Sequence, residues 1–234
     1  ALAAWVAMHL DIAAKHPDPE TRQEAEDLVS LMTPVVKAFV TDIGSECANL
    51  AVQVFGGHGY IREHGVEQLV RDARIAQLYE GANGIQALDL VGRKMGQHTG
   101  RLLRRFFHPA MAFVEAHMEN PDMQDFVLPF AKALGRLQQA TLWLAQQGLR
   151  DPEEAGAGAS DYLRLFGLTA LAFMWARMAA VALDGADDGR TGFYHAKLAT
   201  ARFYMTRILP QTSGLFATLM AGKKPLMELD AELF

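Results

Sequence analysis

The sequence predicts an all-α protein: a helical bundle followed by a second, C-terminal set of helices. Three observations carry this. Long stretches repeat apolar residues three and four apart, few stretches alternate at period two, and the chain is punctuated by Pro, Gly and capping residues of the kind that start and stop helices. With 234 residues, 50% hydrophobic and 21% charged, the chain can bury a sizeable core as one large or two modest domains.

The first helix is expected to stop near Pro17. Asp18, Pro19 and Glu20 then supply an N-cap, a residue preset for the first helical position and a dipole-matched acid, so a second helix begins there. It is expected to end or bend at Thr33 and Pro34. From Pro34, the stripe Val36, Val40, Ile43, Cys47, Leu50 and Val54 marks a long helix that Gly56 and Gly57 terminate. Val66, Leu69, Val70 and Ala73 open another helix, running to about Tyr79, and Gly81 to Gly84 break it before a helix bearing Ile85, Leu88 and Val91. Glu80 therefore falls at a junction between helices.

A boundary is expected near residue 97, dividing the chain into 1–96 and 97–234. Asn120 and Pro121 start a helix with the stripe Phe126, Phe130, Leu134, Leu137 and Leu144. Residues 151–160, DPEEAGAGAS, read as a connector. Tyr162 to Leu183 is apolar on nearly every side, but Arg164 and Arg177 interrupt it, so a central buried helix is expected and not a membrane span. GADDGR, residues 185–190, reads as a second connector, with Thr191 capping the last long helix and Pro210 kinking it.

The formal net charge of -5 gives no general attraction for nucleic acid or anionic membranes. Cys47 alone allows no internal disulfide, which fits a reducing compartment, and a cytoplasmic protein is expected. The opening ALAAWVAMHLDIAAKH lacks an initiator Met and a basic n-region with a cleavage site; it reads as a helix entered midway, so the chain is expected to be a fragment.

The chemistry concentrates between Gln53 and Gln86. Glycines after a helix mean by themselves only a C-cap and a turn. Here Gln53, Gly56, Gly57, Gly59 and Tyr60 are followed by Arg71 and Asp72, then by Tyr79, Glu80 and Gly81, then by Ile85 and Gln86. That order and spacing resembles the signature of acyl-CoA dehydrogenases: Gln-x-x-Gly-Gly-x-Gly-aromatic, Arg-Asp, Tyr-Glu-Gly-Thr, Ile-Gln. Residues 1–96 resemble the greater part of that family's C-terminal helical domain. The tail TRILPQTSGLFATLMAGKKPLMELDAELF looks like the extra helical domain of a long bacterial subgroup that includes 3-methylmercaptopropionyl-CoA dehydrogenases.

The resemblance implies an FAD enzyme that oxidises an acyl-CoA thioester to its 2,3-enoyl product, with electron-transferring flavoprotein as acceptor and a homodimer or dimer of dimers as the assembly. Such a reaction needs a base for a weakly acidic α-proton. A glutamate serves if closure of the site dehydrates it, which raises a carboxylate from about 4.3 toward neutrality. The resemblance gives this role to Glu80, whose backbone N–H is also implied to bind the thioester carbonyl, and has Gly81 line the substrate slot. Gln53, Val54, Phe55, Gly56 and Gly57 match the segment that meets the FAD of a neighbouring subunit. Ala82, Asn83 and Gly84 match a second FAD contact, with the usual threonine hydroxyl absent at Ala82 and Asn83 available to compensate.

Other polar groups read as structural. Arg71 and Asp72 are expected to pair and fix helix geometry. His58 and His64 lack partners with metal-ligand spacing, so no metal is expected. Arg101, Arg104 and Arg105 form a basic patch read as a solvated helix start, with docking of CoA phosphates or of another subunit as the functional alternative. Three further readings stay open: an oxidase using oxygen, a non-catalytic DNA-associated flavoprotein with the same fold, and a helical assembly module.

Overall fold

Helix α1 (Leu2–Lys15) gives way at His16, and the next helix starts as its capping residues dictate. The Asp18 carboxylate accepts from the backbone N–H groups of Glu20 at 3.4 Å and Thr21 at 2.9 Å, with Pro19 at the first helical position. In the computed structural model, which describes residues 1–185 and 191–233, all regular structure is helical.

Helix α2 (Pro19–Phe55) runs for 37 residues, so of the end or bend expected at Thr33 and Pro34 the end does not occur. Proline inside a helix costs about 3 kcal/mol through its missing donor and ring clash. Leu31, Met32, Val35, Ala38 and Phe39 are all buried on either side of it. Burial of each large apolar side chain contributes roughly 1.5–3 kcal/mol, so packing outweighs the local penalty. The expected stripe is only partly right: Val36 and Ile43 touch the core, while Val40, Leu50 and Val54 are exposed. The buried positions of α2 end at Phe39, and its C-terminal portion projects beyond the core.

Short helices follow: α3 (Gly57–Tyr60), α4 (Val66–Ile75) and α5 (Asn83–Asp89), the last continuing into a π-helical turn at Leu90–Lys94. Helix α4 stops at Ile75, earlier than the expected Tyr79, and hydrogen-bonded turns carry the chain onward. At residues 98–100 the backbone adopts three successive left-handed conformations, His98, Thr99 and Gly100, and enters α6 (Arg101–His117).

Helix α7 (Gln124–Arg150) buries Phe126, Phe130, Leu134, Leu137 and Leu144, the stripe read from the sequence. The connector expected at 151–160 is instead the start of α8 (Pro152–Asp184): Asp151 accepts from the Glu153 N–H and Pro152 takes the first helical position. The glycines there serve packing. A Cβ at Gly158 would sit 3.2 Å from Leu219 and 3.3 Å from Leu144. Helices α2 and α8 are long and apolar enough to cross a membrane, yet α8 lies in the core with Tyr162, Phe166 and Phe173 buried. Residues 186–190 of the second expected connector and the Thr191 side chain lie outside the described residues. Helix α9 (Thr191–Phe203) passes through a π-helical turn at Tyr204–Ile208 and ends at Pro210, after which come α10 (Gln211–Met220) and α11 (Lys224–Met227).

The apolar core crosses residue 97 without interruption. Phe106, Phe130, Phe166 and Phe173 pack together, with Phe130 and Phe173 stacked at 5.5 Å between centroids. Phe39 of α2 lies against Gly167 of α8, where an added Cβ would stand 2.3 Å from the ring. Gly167→Ala is therefore expected to destabilise the protein by roughly 1–3 kcal/mol, read as a lower urea midpoint at unchanged m.

The basic patch is not free. Arg101 clasps buried Asp27 with two hydrogen bonds of 2.8 and 2.9 Å, Arg105 bonds Glu24 at 2.6 Å and stands 3.5 Å from Asp27, and Arg104 donates to the Thr99 carbonyl. Two of the three arginines thus tie α6 to α2. Nor do Arg71 and Asp72 pair: neighbours on a helix point about 100° apart, and Asp72 accepts from Gln68 at 2.8 Å instead.

Candidate active site

Glu80 sits in the turn between α4 and α5, and its backbone has φ 56°, a left-handed conformation uncommon outside glycine. Gly81 follows with φ 82°. A non-glycine residue held there costs on the order of 1–3 kcal/mol and persists only where its surroundings impose it. Here they do. Gln86 donates to the Glu80 carbonyl at 3.3 Å, Lys37 Nζ donates to the Gly81 carbonyl at 2.6 Å, and the Asn83 N–H reaches back to Gln77 at 3.1 Å.

The carboxylate and the N–H of Glu80 make no hydrogen bond among the described residues, and the side chain is exposed. Around it Leu78, Tyr79 and Ile85 are also exposed, although all three are large and apolar. An open cleft of about 680 Å³, lined by Thr33, Pro34, Ile85, Gln86, Leu88 and Lys94 among others, shares Gln86 with the turn. Such a constellation offers an unpaired base and an unpaired donor on an apolar surface. Gly81 is as tight as it is twisted: a Cβ there would meet Gln86 Nε2 at 2.8 Å.

Asn83 faces inward. Its Oδ1 accepts from Lys37 Nζ at 2.8 Å, while its Nδ2 donates to Ala38 O, Thr41 Oγ1 and Asp42 Oδ1 at 3.1, 2.9 and 2.6 Å. The amide is thus committed within the chain, to Lys37, Ala38, Thr41 and Asp42. Ala82 occupies the N-cap of α5 and supplies no capping bond; a threonine there would be a favoured cap. Gly84 is open, with nothing within 4 Å of a notional Cβ.

Gln53, Val54, Phe55, Gly56 and Gly57 lie at the far end of α2. Twelve residues separate Thr41 from Gln53, about 18 Å along a helix axis, so the two glycine-bearing segments form separate patches on this chain. Val54 is 84% exposed and Phe55 54%. Gly56 turns the chain with φ 59°, and neither Gly56 nor Gly57 has an atom within 4 Å of a notional Cβ. Gly59, in contrast, is pressed onto α2, where a Cβ would stand 2.6 Å from Val52 O. The result is a bare backbone strip flanked by exposed apolar side chains, which fits the close approach of a large planar cofactor. His58 and His64 stand 5.1 Å apart between centroids, and among the described residues no three metal-ligating side chains gather.

Residues 6–95 match the family described as "Acyl-CoA dehydrogenase, C-terminal domain", and residues 106–230 match "Acetyl-CoA dehydrogenase C-terminal like". The chain belongs to the acyl-CoA dehydrogenase family. Among its relatives in that family, the 3-methylmercaptopropionyl-CoA dehydrogenase of Ruegeria pomeroyi is 36% identical over 216 residues, 91% of this chain and 36% of the relative. The broad-specificity linear acyl-CoA dehydrogenase FadE5 of Mycobacterium tuberculosis is 32% identical over 218 residues, 87% of this chain and 35% of the relative. Caenorhabditis elegans ACDH-11, solved in complex with C11-CoA, shares the fold with a TM-score of 0.69 at 18% identity, covering 88% of this chain and 32% of that one. The chain thus spans about a third of the length of the acyl-CoA dehydrogenases it matches.

Lys37, Thr41, Asp42 and Gln77, which hold the Glu80 turn, are not among the candidate residues that the motif singles out. A signal was present: Lys37 and Thr41 are polar residues four apart in the otherwise apolar run of α2, on one helix face.

Proposed function

We propose that this chain is the C-terminal helical part of an FAD-dependent acyl-CoA dehydrogenase that oxidises an acyl-CoA thioester to the 2,3-enoyl-CoA, with Glu80 as the base. The observation that carries the reading is Glu80 itself, a residue in a costly backbone conformation whose carboxylate and N–H are both unspent. The carboxylate takes the α-proton as the Cα–H bond breaks. The Glu80 N–H donates to the thioester carbonyl oxygen, where negative charge grows as that proton leaves. Gly81, lacking a side chain, lets the acyl chain pass close to the turn.

FAD, when bound, supplies the acceptor for the β-hydrogen and its electron pair. Gln53, Val54, Phe55, Gly56 and Gly57 would meet the FAD of a neighbouring subunit, and Ala82, Asn83 and Gly84 would form a second contact to FAD. The exposed apolar surface along the C-terminal part of α2, including Leu50, Val54 and Phe55, suits burial in a homodimer or dimer of dimers. We assign electron-transferring flavoprotein as the acceptor and the cytoplasm as the compartment, and we keep 1–96 and 97–234 as two family segments that share one core, in line with the matches over 6–95 and 106–230. The DNA-associated alternative needs a basic face, whereas Arg101 and Arg105 are engaged by Asp27 and Glu24.

Glu80 and the neighbouring Leu78, Tyr79 and Ile85 are exposed, whereas the proposed chemistry needs an enclosed site. The purified 234-residue chain is accordingly expected to show no flavin absorbance and no dye reduction with acyl-CoA. Either signal would contradict the reading. In the full-length protein, flavin bleaching by a panel of acyl-CoAs would identify the preferred acyl chain, and a peroxide assay would separate a dehydrogenase from an oxidase.

A further inference from the structure

Lys37 lies half-buried on α2 between Val36 and Ala38, outside the glycine-rich motif. A lysine there has a long stem able to carry its ammonium to water. Instead Nζ turns onto the Glu80 turn, 2.6 Å from the Gly81 carbonyl oxygen and 2.8 Å from Asn83 Oδ1. An ammonium has three donors and no acceptor, so two of the three are spent on this turn. Among the described residues, no other element outside the turn and α5 bonds the peptide groups of residues 80 and 81.

The anchor is itself braced. Thr41 Oγ1 donates to the Lys37 carbonyl at 2.7 Å and accepts from Asn83, Asp42 accepts from both Asn83 and Gln77, and Gln77 accepts the Asn83 N–H. One turn of α2 therefore grips the chain on both sides of Glu80, at Gln77 and at Gly81 and Asn83. A charge-assisted bond to a carbonyl is about twice as strong as a neutral one, which suits Lys37 to holding two successive left-handed residues.

We propose that Lys37 is a positioning residue for Glu80: through the Gly81 carbonyl and Asn83 it fixes the turn that presents the base, without touching substrate. This rests on Glu80 being the base, and the test separates the two. In the full-length, flavin-loaded enzyme, Lys37→Met is expected to keep its flavin and to lower kcat on the order of 100-fold, as displacement by about 1 Å would. KM should stay within about threefold, because the lost interaction positions the base and does not bind substrate. Lys37→Arg should recover much of the rate. In a Glu80→Gln background the same Lys37→Met change should alter the residual rate less than about threefold, since residues acting through one another are non-additive.

A Lys37→Met enzyme with wild-type kcat, beside an inactive Glu80→Gln enzyme, would overturn the positioning role and leave the base in place. Undiminished turnover by Glu80→Gln would remove the base and this inference together. A full second loss in the double variant would show Lys37 acting independently, which also overturns it. Where Lys37→Met fails to fold or loses flavin, Thr41→Val removes one brace while keeping the charge. A roughly 10-fold fall in its kcat with flavin retained supports the network, and wild-type kcat rejects it.

Discussion

Glu80→Gln in the full-length protein is expected to lower kcat by about 100- to 10,000-fold, the range over which a positioned general base acts. Glutamine is nearly the same size and keeps the backbone N–H, so the proposed oxyanion contact and the left-handed turn are expected to survive. It has no basic oxygen to take a proton. Flavin content and acyl-CoA affinity are therefore expected to change little, and steady-state dye reduction alongside the flavin spectrum measures both. Turnover at the wild-type rate would reject the assignment.

The largest expected stability effect lies elsewhere, at Asp27. This carboxylate is 3% exposed and bonded by Arg101 and Gln23, with Arg105 alongside. Burial alone would raise its pKa, but the hydrogen bonds and charge of Arg101, helped by Gln23 and Arg105, outweigh burial and hold it below the usual value. Removing it leaves two arginines without their shared partner. Because both guanidinium groups reach some solvent, Asp27→Ala is placed at the low end of the buried-pair range, about 3 kcal/mol. For a chain of this size that is roughly 6–12 °C in Tm. The sign with pH follows from the depressed folded pKa. The contribution is complete above the unfolded value of about 3.9 and is lost as pH falls through the lower folded value. Urea melts of wild type and Asp27→Ala should therefore stay equally far apart from pH 6 down to about pH 4 and draw together as the pH is lowered further. A gap that stayed constant on that further lowering would show that the carboxylate charge is not what α6 and α2 share.

Local signals in the sequence were reliable where one residue's chemistry decides the outcome. Asp18 and Pro19 start α2 because a cap and a fixed φ act within one turn, and the α7 stripe is buried because its period is the helix's own. The readings that fail were decided by distant partners. Pro34 does not break α2 because the core formed with α8 outweighs its missing donor. Gly156 and Gly158 look like loop residues, but Gly158 exists for the approach of Leu144 and Leu219, which are remote in sequence. Arg101 and Arg105 look like a free basic patch because Asp27 and Glu24 lie more than seventy residues away. At the site, the motif singled out Glu80 and Gly81 as candidates, whereas the residues that hold their turn did not register. Lys37 and Asp42 matter only once the turn has folded back onto α2, where the Asn83 amide bonds Lys37, Thr41 and Asp42.

Proton transfer at the substrate α-carbon can be observed apart from flavin reduction, by offering the full-length enzyme an acyl-CoA analogue that carries no removable β-hydrogen. In heavy water the wild-type enzyme should exchange the α-protons of this analogue for deuterium, followed by NMR, and the Glu80→Gln enzyme, with its flavin intact, should not. Exchange at the same rate in both would contradict the account.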